Sequence, residues 1–121
     1  MQETFKLIGE TVSKKNSNKF NAQRRSMYKT KGYFNWYQSA VMQLRSQIKT
    51  KGIDYPVEIS MLFVHGDKRR RDSDNGQTSI LDLLVREGVI VDDNWNVARR
   101  LIVENDYEKG NPHCIITIKD L

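Results

Sequence analysis

The segment VEISMLFVH, residues 57–65, constrains the fold more than any other part of the chain. Val57, Ile59, Met61 and Phe63 alternate onto one face of a strand, while Leu62 and Val64 leave the other face partly apolar too. Such a strand needs a sheet around it and a layer packed against it. Two segments can supply that layer. Between Tyr33 and Thr50, Phe34, Tyr37, Val41, Leu44 and Ile48 recur at steps of three and four, one face of an amphipathic helix ending near Gly52. In NGQTSILDLLVREG, Ile80, Leu81, Leu84 and Val85 have helical spacing, with Asp74 or Asn75 as cap and Gly88 as the stop. TFKLIGE reads as a strand with Phe5 and Leu7 on one face, and VIVDDN as a short apolar step into a turn. VARRLIVEND and HCIITIK read as two strands joined in a hairpin across YEKGNP. The expectation is one small α+β domain over residues 1–121, a mixed sheet of about four strands with two main helices.

Charge divides the chain. Residues 1–51 carry 11 Lys and Arg against 2 Glu, a balance of +9, whereas residues 52–121 carry 9 against 13 Asp and Glu, a balance of −4. The front half is suited to a polyanion and the rear half concentrates carboxylates. Much of the positive charge lies in residues 12–32, a polar, aperiodic stretch read as a long exposed loop and bearing Lys14, Lys15, Arg24 and Arg25. No apolar run approaches the ~20 residues that cross a bilayer, and the N-terminus lacks a signal-peptide core. The lone Cys114 cannot form an internal disulfide, which fits a reducing cytoplasm.

The two charges meet in DKRRRDSDN, residues 67–75, where Lys68, Arg69, Arg70 and Arg71 run into Asp72 and Asp74. Carboxylates two apart in extended chain point to one side and can share a hard cation. A phosphate-bearing substrate and a divalent metal would explain both halves of the stretch. Asp93 follows the second helix, and a loop–helix–loop path could return it to the first pair. Other readings compete. An EF-hand loop begun at Asp72 would need Gly at Gln77 and Glu at Leu83. A nucleotidyltransferase-like site expects apolar neighbours where Ser73 and Asn75 stand. Helix capping explains one aspartate, but a like-charged pair needs something to neutralise it. His65, His113 and Cys114 lack zinc spacing, and no P-loop is present. Cys114 reads as core, and Trp36 and Trp95 as packing residues, with Trp95 able to stack on a base if exposed.

The block RRRDSDN…ILDLLVREGVIVDD resembles the RusA family of Holliday junction resolvases. The Arg-rich run, the Asp-x-Asp-Asn signature, the helix with Asp82 and Leu83, and the later Asp92–Asp93 match in order. VSKKNS resembles the N-terminal loop of phage-type members. The resemblance implies a metal-dependent endodeoxyribonuclease of DNA recombination and repair, acting as a homodimer on four-way junctions by paired nicks. Its essential acids fall on Asp72, Asp74 and Asp93, with Mg²⁺ as cofactor and Mn²⁺ as the alternative. It further implies a bacterial or phage-encoded, cytoplasmic, nucleoid-associated protein. One position departs: Thr78 stands where the family places a lysine on the helix, so either Lys68 or Arg71 replaces it or turnover is impaired.

On this reading the three aspartates hold the metal that activates water, while Arg69, Arg70, Arg71, Lys68, Lys14, Lys15, Arg24 and Arg25 grip the backbone phosphates. The dyad of a homodimer would match that of the junction, and Phe34, Trp36 and Tyr37 are the aromatic candidates for its interface. The alternatives are a catalytically impaired branched-DNA-binding protein, marked by Thr78, and a structural protein whose acidic cluster stabilises a turn.

Overall fold

A computed structural model describes residues 1–14, 18–21 and 26–121, with 18–21 and 26–29 described by backbone alone. In chain order the elements are β1 (Gln2–Ile8), β2 (Asn18–Asn21), β3 (Ser26–Lys29), α1 (Lys31–Gln47), β4 (Val57–His65), α2 (Gln77–Arg86), β5 (Ala98–Tyr107) and β6 (His113–Asp120). Four of the strands form one mixed sheet in the order β1-β6-β4-β5. Only the β4–β5 pair is parallel, so β4, α2 and β5 make a crossover unit. The α+β architecture matches the sequence expectation.

β4 lies inside the sheet because its composition demands neighbours. Val57, Ile59, Met61 and Phe63 are buried under the helices, and Val64 on the opposite face is buried too. This overturns the expected β5–β6 hairpin. The two strands flank β4 on opposite sides, and the chain between them crosses the end of β4. There the Glu108 N–H donates to the His65 carbonyl and the Gly110 N–H to that of Gly66, both at 3.0 Å. Gly110 turns at φ 67°, a conformation that suits glycine. A strand apolar on both faces takes the inner place, and the polar β5 is left at the edge.

Two further expectations change. The basic segment is not all loop, since β2 and β3 pair antiparallel from Asn18↔Lys29 to Asn21↔Ser26. Its sequence has no apolar alternation, and backbone pairing leaves no hydrophobic signature to read. In α1 the buried face is Tyr33, Trp36, Ala40 and Leu44, with Tyr37, Val41 and Ile48 beside it. Phe34 is 51% exposed, so the apolar stripe is rotated from the expected one, and Trp36 is core rather than interface. Ala40 adds little to an apolar periodicity, which hid the true face. α1 also seals the outer edge of β1. Gln47 Oε1 accepts from the Lys6 N–H at 2.9 Å and its Nε2 donates to the Lys6 carbonyl at 2.8 Å. Gln43 treats Ile8 in the same way, at 2.6 and 3.3 Å.

Candidate active site and nucleic-acid interface

The basic-acidic stretch leaves the C-terminal end of β4 and leads into α2. Its four cations have different environments. Arg71 is a strut: its guanidinium lies 3.0 Å from both Glu10 and Asp67, and its side chain is 16% exposed. The Arg69 backbone N–H and then Arg71 hold the Asp67 carboxyl below its ordinary range. Lys68 sits over the Tyr107 ring, 5.0 Å from its centroid. Arg69 and Arg70 are exposed. Charge density in sequence thus resolves into supports and presented cations.

A chain of polar contacts holds this stretch to the sheet. His65 Nδ1 meets Glu10 at 2.8 Å and its Nε2 meets Asn105 Oδ1 at 2.9 Å. Asn105 Nδ2 donates to the Ser73 carbonyl at 2.8 Å. The contacts thus run from Glu10, just past β1, through His65 at the end of β4 to Asn105 of β5, which bonds the residue between Asp72 and Asp74. No sequence signal marked Glu10 or Asn105, because their roles depend on strand order. Asn105→Ala should release the Ser73 carbonyl and loosen the turn that carries Asp72 and Asp74, with little loss of melting temperature. Amide hydrogen exchange over residues 72–75 beside a thermal melt checks this.

The capping expectation fails. The N-cap of α2 is Gly76, and the helix has no side-chain cap hydrogen bond. The turn closes through backbone, with Asn75 N–H on the Asp72 carbonyl and Gln77 N–H on that of Asp74, both at 3.2 Å. Gly76 lies against the Phe63 ring, where an added Cβ would stand 2.5 Å from Cε1. Both aspartates are exposed at the protein surface.

Asp93 does not return to them within the chain. β5 runs parallel to β4, so α2 carries the backbone to the far end of the sheet before β5 begins. Asn94 O accepts from the Ala98 N–H, tying the Asp93 loop to the start of β5, whereas Ser73 is tied to Asn105 near its end. At ~3.3 Å per residue, Ala98 and Asn105 are about 23 Å apart. Among the described residues, no group of three or more His, Cys, Asp and Glu is placed to hold a metal. Asp92 orders its own turn, accepting from the Asp93 N–H at 2.7 Å and from Asn94 Nδ2 at 3.1 Å, and Asp93 is exposed.

The remaining predicted residues are scattered. Lys14 pairs with Asp82 at 2.8 Å, and its N–H donates to Ser79 Oγ, which donates to the Val12 carbonyl. These bonds fasten the base of the basic segment to α2. Burial and then Asp82 push the Tyr33 hydroxyl well above the usual phenol range. Lys15, Arg24 and Arg25 lie outside the described residues. Thr78 is exposed on the first turn of α2. Cys114 is buried, which pushes its thiol up to about 12 and agrees with a core role. Trp95 is 69% exposed, against the packing expectation, and Arg99 lies over its ring. Among the described residues, no helix is long and apolar enough to cross a membrane.

The donor chemistry fits a hard divalent cation, with only oxygens on the Asp72 and Asp74 side chains and flanking arginines to attract phosphate. The chain is 33% identical over 85 residues to the crossover junction endodeoxyribonuclease RusA of Aquifex aeolicus (strain VF5), a match covering 70% of this chain and 66% of that relative. The profile of the family described as endodeoxyribonuclease RusA matches residues 9–119, and the chain belongs to that family.

Proposed function

We propose that the protein is a metal-dependent endonuclease that resolves four-way DNA junctions by paired nicks, with Asp72, Asp74 and Asp93 as ligands of Mg²⁺ or Mn²⁺. The observation carrying this reading is the exposed Asp72 and Asp74 on a turn whose Ser73 carbonyl is held by Asn105 of β5, beside the exposed Arg69 and Arg70. A divalent cation bound there would neutralise phosphate charge and lower the pKa of an attacking water. The chain's own residues do the rest. Arg69 and Arg70 hold backbone phosphates without reading sequence, and Lys15, Arg24 and Arg25 extend that grip. The Glu10–His65–Asn105 contacts keep the carboxylates in place. Because Asp93 lies at the other end of β5, a complete ligand set requires a second copy of the chain. A homodimer with two such sites would match the two-fold symmetry of the junction. Incubating the protein and Mg²⁺ with a synthetic four-way junction and a matched linear duplex tests the reading. Selective, metal-dependent nicking of the junction is expected, and no nicking would refute it.

Thr78 favours one second reading, a branched-DNA-binding protein with impaired turnover. Arg71 is engaged by Glu10 and Asp67, which removes one of the two candidate replacements. That protein would bind the junction in the same assay and leave it intact.

The two adjacent arginines should separate in mutagenesis. Arg70→Ala should weaken DNA binding and lower the slope of log affinity against log salt by about 0.9, one phosphate contact. Arg71→Ala should instead lower thermal stability, since it leaves Glu10 and Asp67 without their shared cation. Salt-dependent fluorescence anisotropy and melting curves distinguish the two.

A further inference from the structure

We propose that Trp95 recognises the branch point of the DNA, its indole stacking on a base left unstacked where the strands of a junction exchange. The inference rests on the proposed nuclease reading, in which Asp93 works beside the reacting phosphate, and names a side chain that tells a junction from a duplex.

The ring is presented to solvent rather than packed. Trp95 is 69% exposed, whereas Trp36 in α1 is 9% exposed. An indole left in water forgoes the burial of one of the largest apolar surfaces a side chain has. The turn beneath it is closely tied. Asp92 accepts from the Asp93 N–H at 2.7 Å and from Asn94 Nδ2 at 3.1 Å. Asn94 Oδ1 accepts from the Asn96 N–H at 3.0 Å, and the Asn94 carbonyl accepts from the N–H groups of Val97 and Ala98 at 3.1 and 2.9 Å. Val97 and Ala98 are buried, which fastens the turn to the core. A ring carried on such a support loses little freedom when a flat ligand lands on it.

Arg99 braces the indole. Its guanidinium lies 5.2 Å from the ring centroid, and its Nε donates to the Trp95 carbonyl at 3.2 Å. The pair offers a flat aromatic surface with a fixed cation beside it. That combination suits a nucleotide whose base has left its neighbours, with the ring for the base and the guanidinium for the adjoining phosphate. Its place in the chain suits the reaction as well. Trp95 follows Asp93 by two positions, so their Cα atoms lie within about 7 Å of each other. A base stacked on the ring therefore lies beside the phosphate that Asp93 serves. Within a continuous duplex both faces of each base are covered by its neighbours, and the ring has nothing to stack on. At the exchange point that continuity is broken. Arg69 and Arg70 meet backbone phosphates that both substrates share, so discrimination falls to a group that needs a bare base face.

Three substitutions and one fluorescent base test the assignment. Trp95→Ala should weaken binding of a synthetic four-way junction about five- to a hundredfold, the range of base–aromatic stacking, and leave a linear duplex of the same sequence bound as before. Trp95→Phe, which keeps a ring, should recover most of the loss. Trp95→Leu, which keeps apolar bulk without a π-face, should behave like Trp95→Ala. Anisotropy titrations in Ca²⁺ read all three, with melting curves alongside. A 2-aminopurine base at the exchange point should be dimmer in the native complex than in the Trp95→Leu complex, both at saturation, because stacking on indole quenches it. Equal losses on junction and duplex, full junction affinity in Trp95→Ala, or equal 2-aminopurine signals would each overturn the stacking role. The nuclease reading would still stand wherever the native protein nicks the junction selectively with Mg²⁺. A native protein that neither prefers nor nicks the junction would overturn both.

Discussion

Asp74→Asn is expected to abolish metal-dependent nicking while junction binding persists or tightens. The carboxylate is a ligand in the proposed site, and asparagine keeps its shape while losing the charge that attracts a hard cation. A metal's stabilisation of developing charge is worth several kcal/mol, so the rate should fall by about a thousandfold or more. Binding should move the other way, because the lost negative charge had opposed the DNA backbone. Single-turnover cleavage with Mg²⁺ beside anisotropy titration in Ca²⁺ reads both effects. Nicking at the native rate would remove Asp74 from the site.

Gly76→Val should damage fold and site together. The residue sits at the mouth of α2 with its Cα against the buried Phe63 ring, and a Cβ would stand at 2.5 Å. Phe63 is enclosed within the core and cannot step aside cheaply. Either the ring leaves its place or the loop lifts from β4. Overpacking of this kind costs about 1–3 kcal/mol. Lifting the loop would also carry Asp72 and Asp74 away from the contact between Ser73 and Asn105. We therefore expect a lower melting temperature and weaker Mn²⁺ binding in one variant. Asn105→Ala, by contrast, should loosen the turn with little loss of melting temperature. Thermal melts of both variants separate the two.

The parts of this molecule legible in sequence are those whose periodicity is apolar. β1, β4 and α2 fall where alternation or helical spacing put them, and β4 shows its burial on both faces in its own residues. The basic-acidic stretch carried the family signature in its own residues, and the family match spans it. What sequence could not show was strand order. The β5–β6 hairpin was the simplest local connection, yet β4 needed neighbours on both edges and separated the two strands. The same fact moved Asp93. A helix followed by a parallel strand takes the chain to the opposite end of the sheet, so three aspartates near in sequence are not near in one subunit. Strand order likewise brought Glu10, His65 and Asn105 together from three distant segments.

Mixing two inactive variants tests the central claim, that each site draws on two copies of the chain. Asp74→Asn and Asp93→Asn should each be folded, dimeric and silent in nicking. After subunit exchange, a heterodimer gathers both lesions into one site and leaves the other with native Asp72, Asp74 and Asp93. The account predicts that the mixture regains metal-dependent nicking of one strand of a four-way junction. A mixture that stays silent, although subunit exchange is verified and the junction is bound, would contradict it.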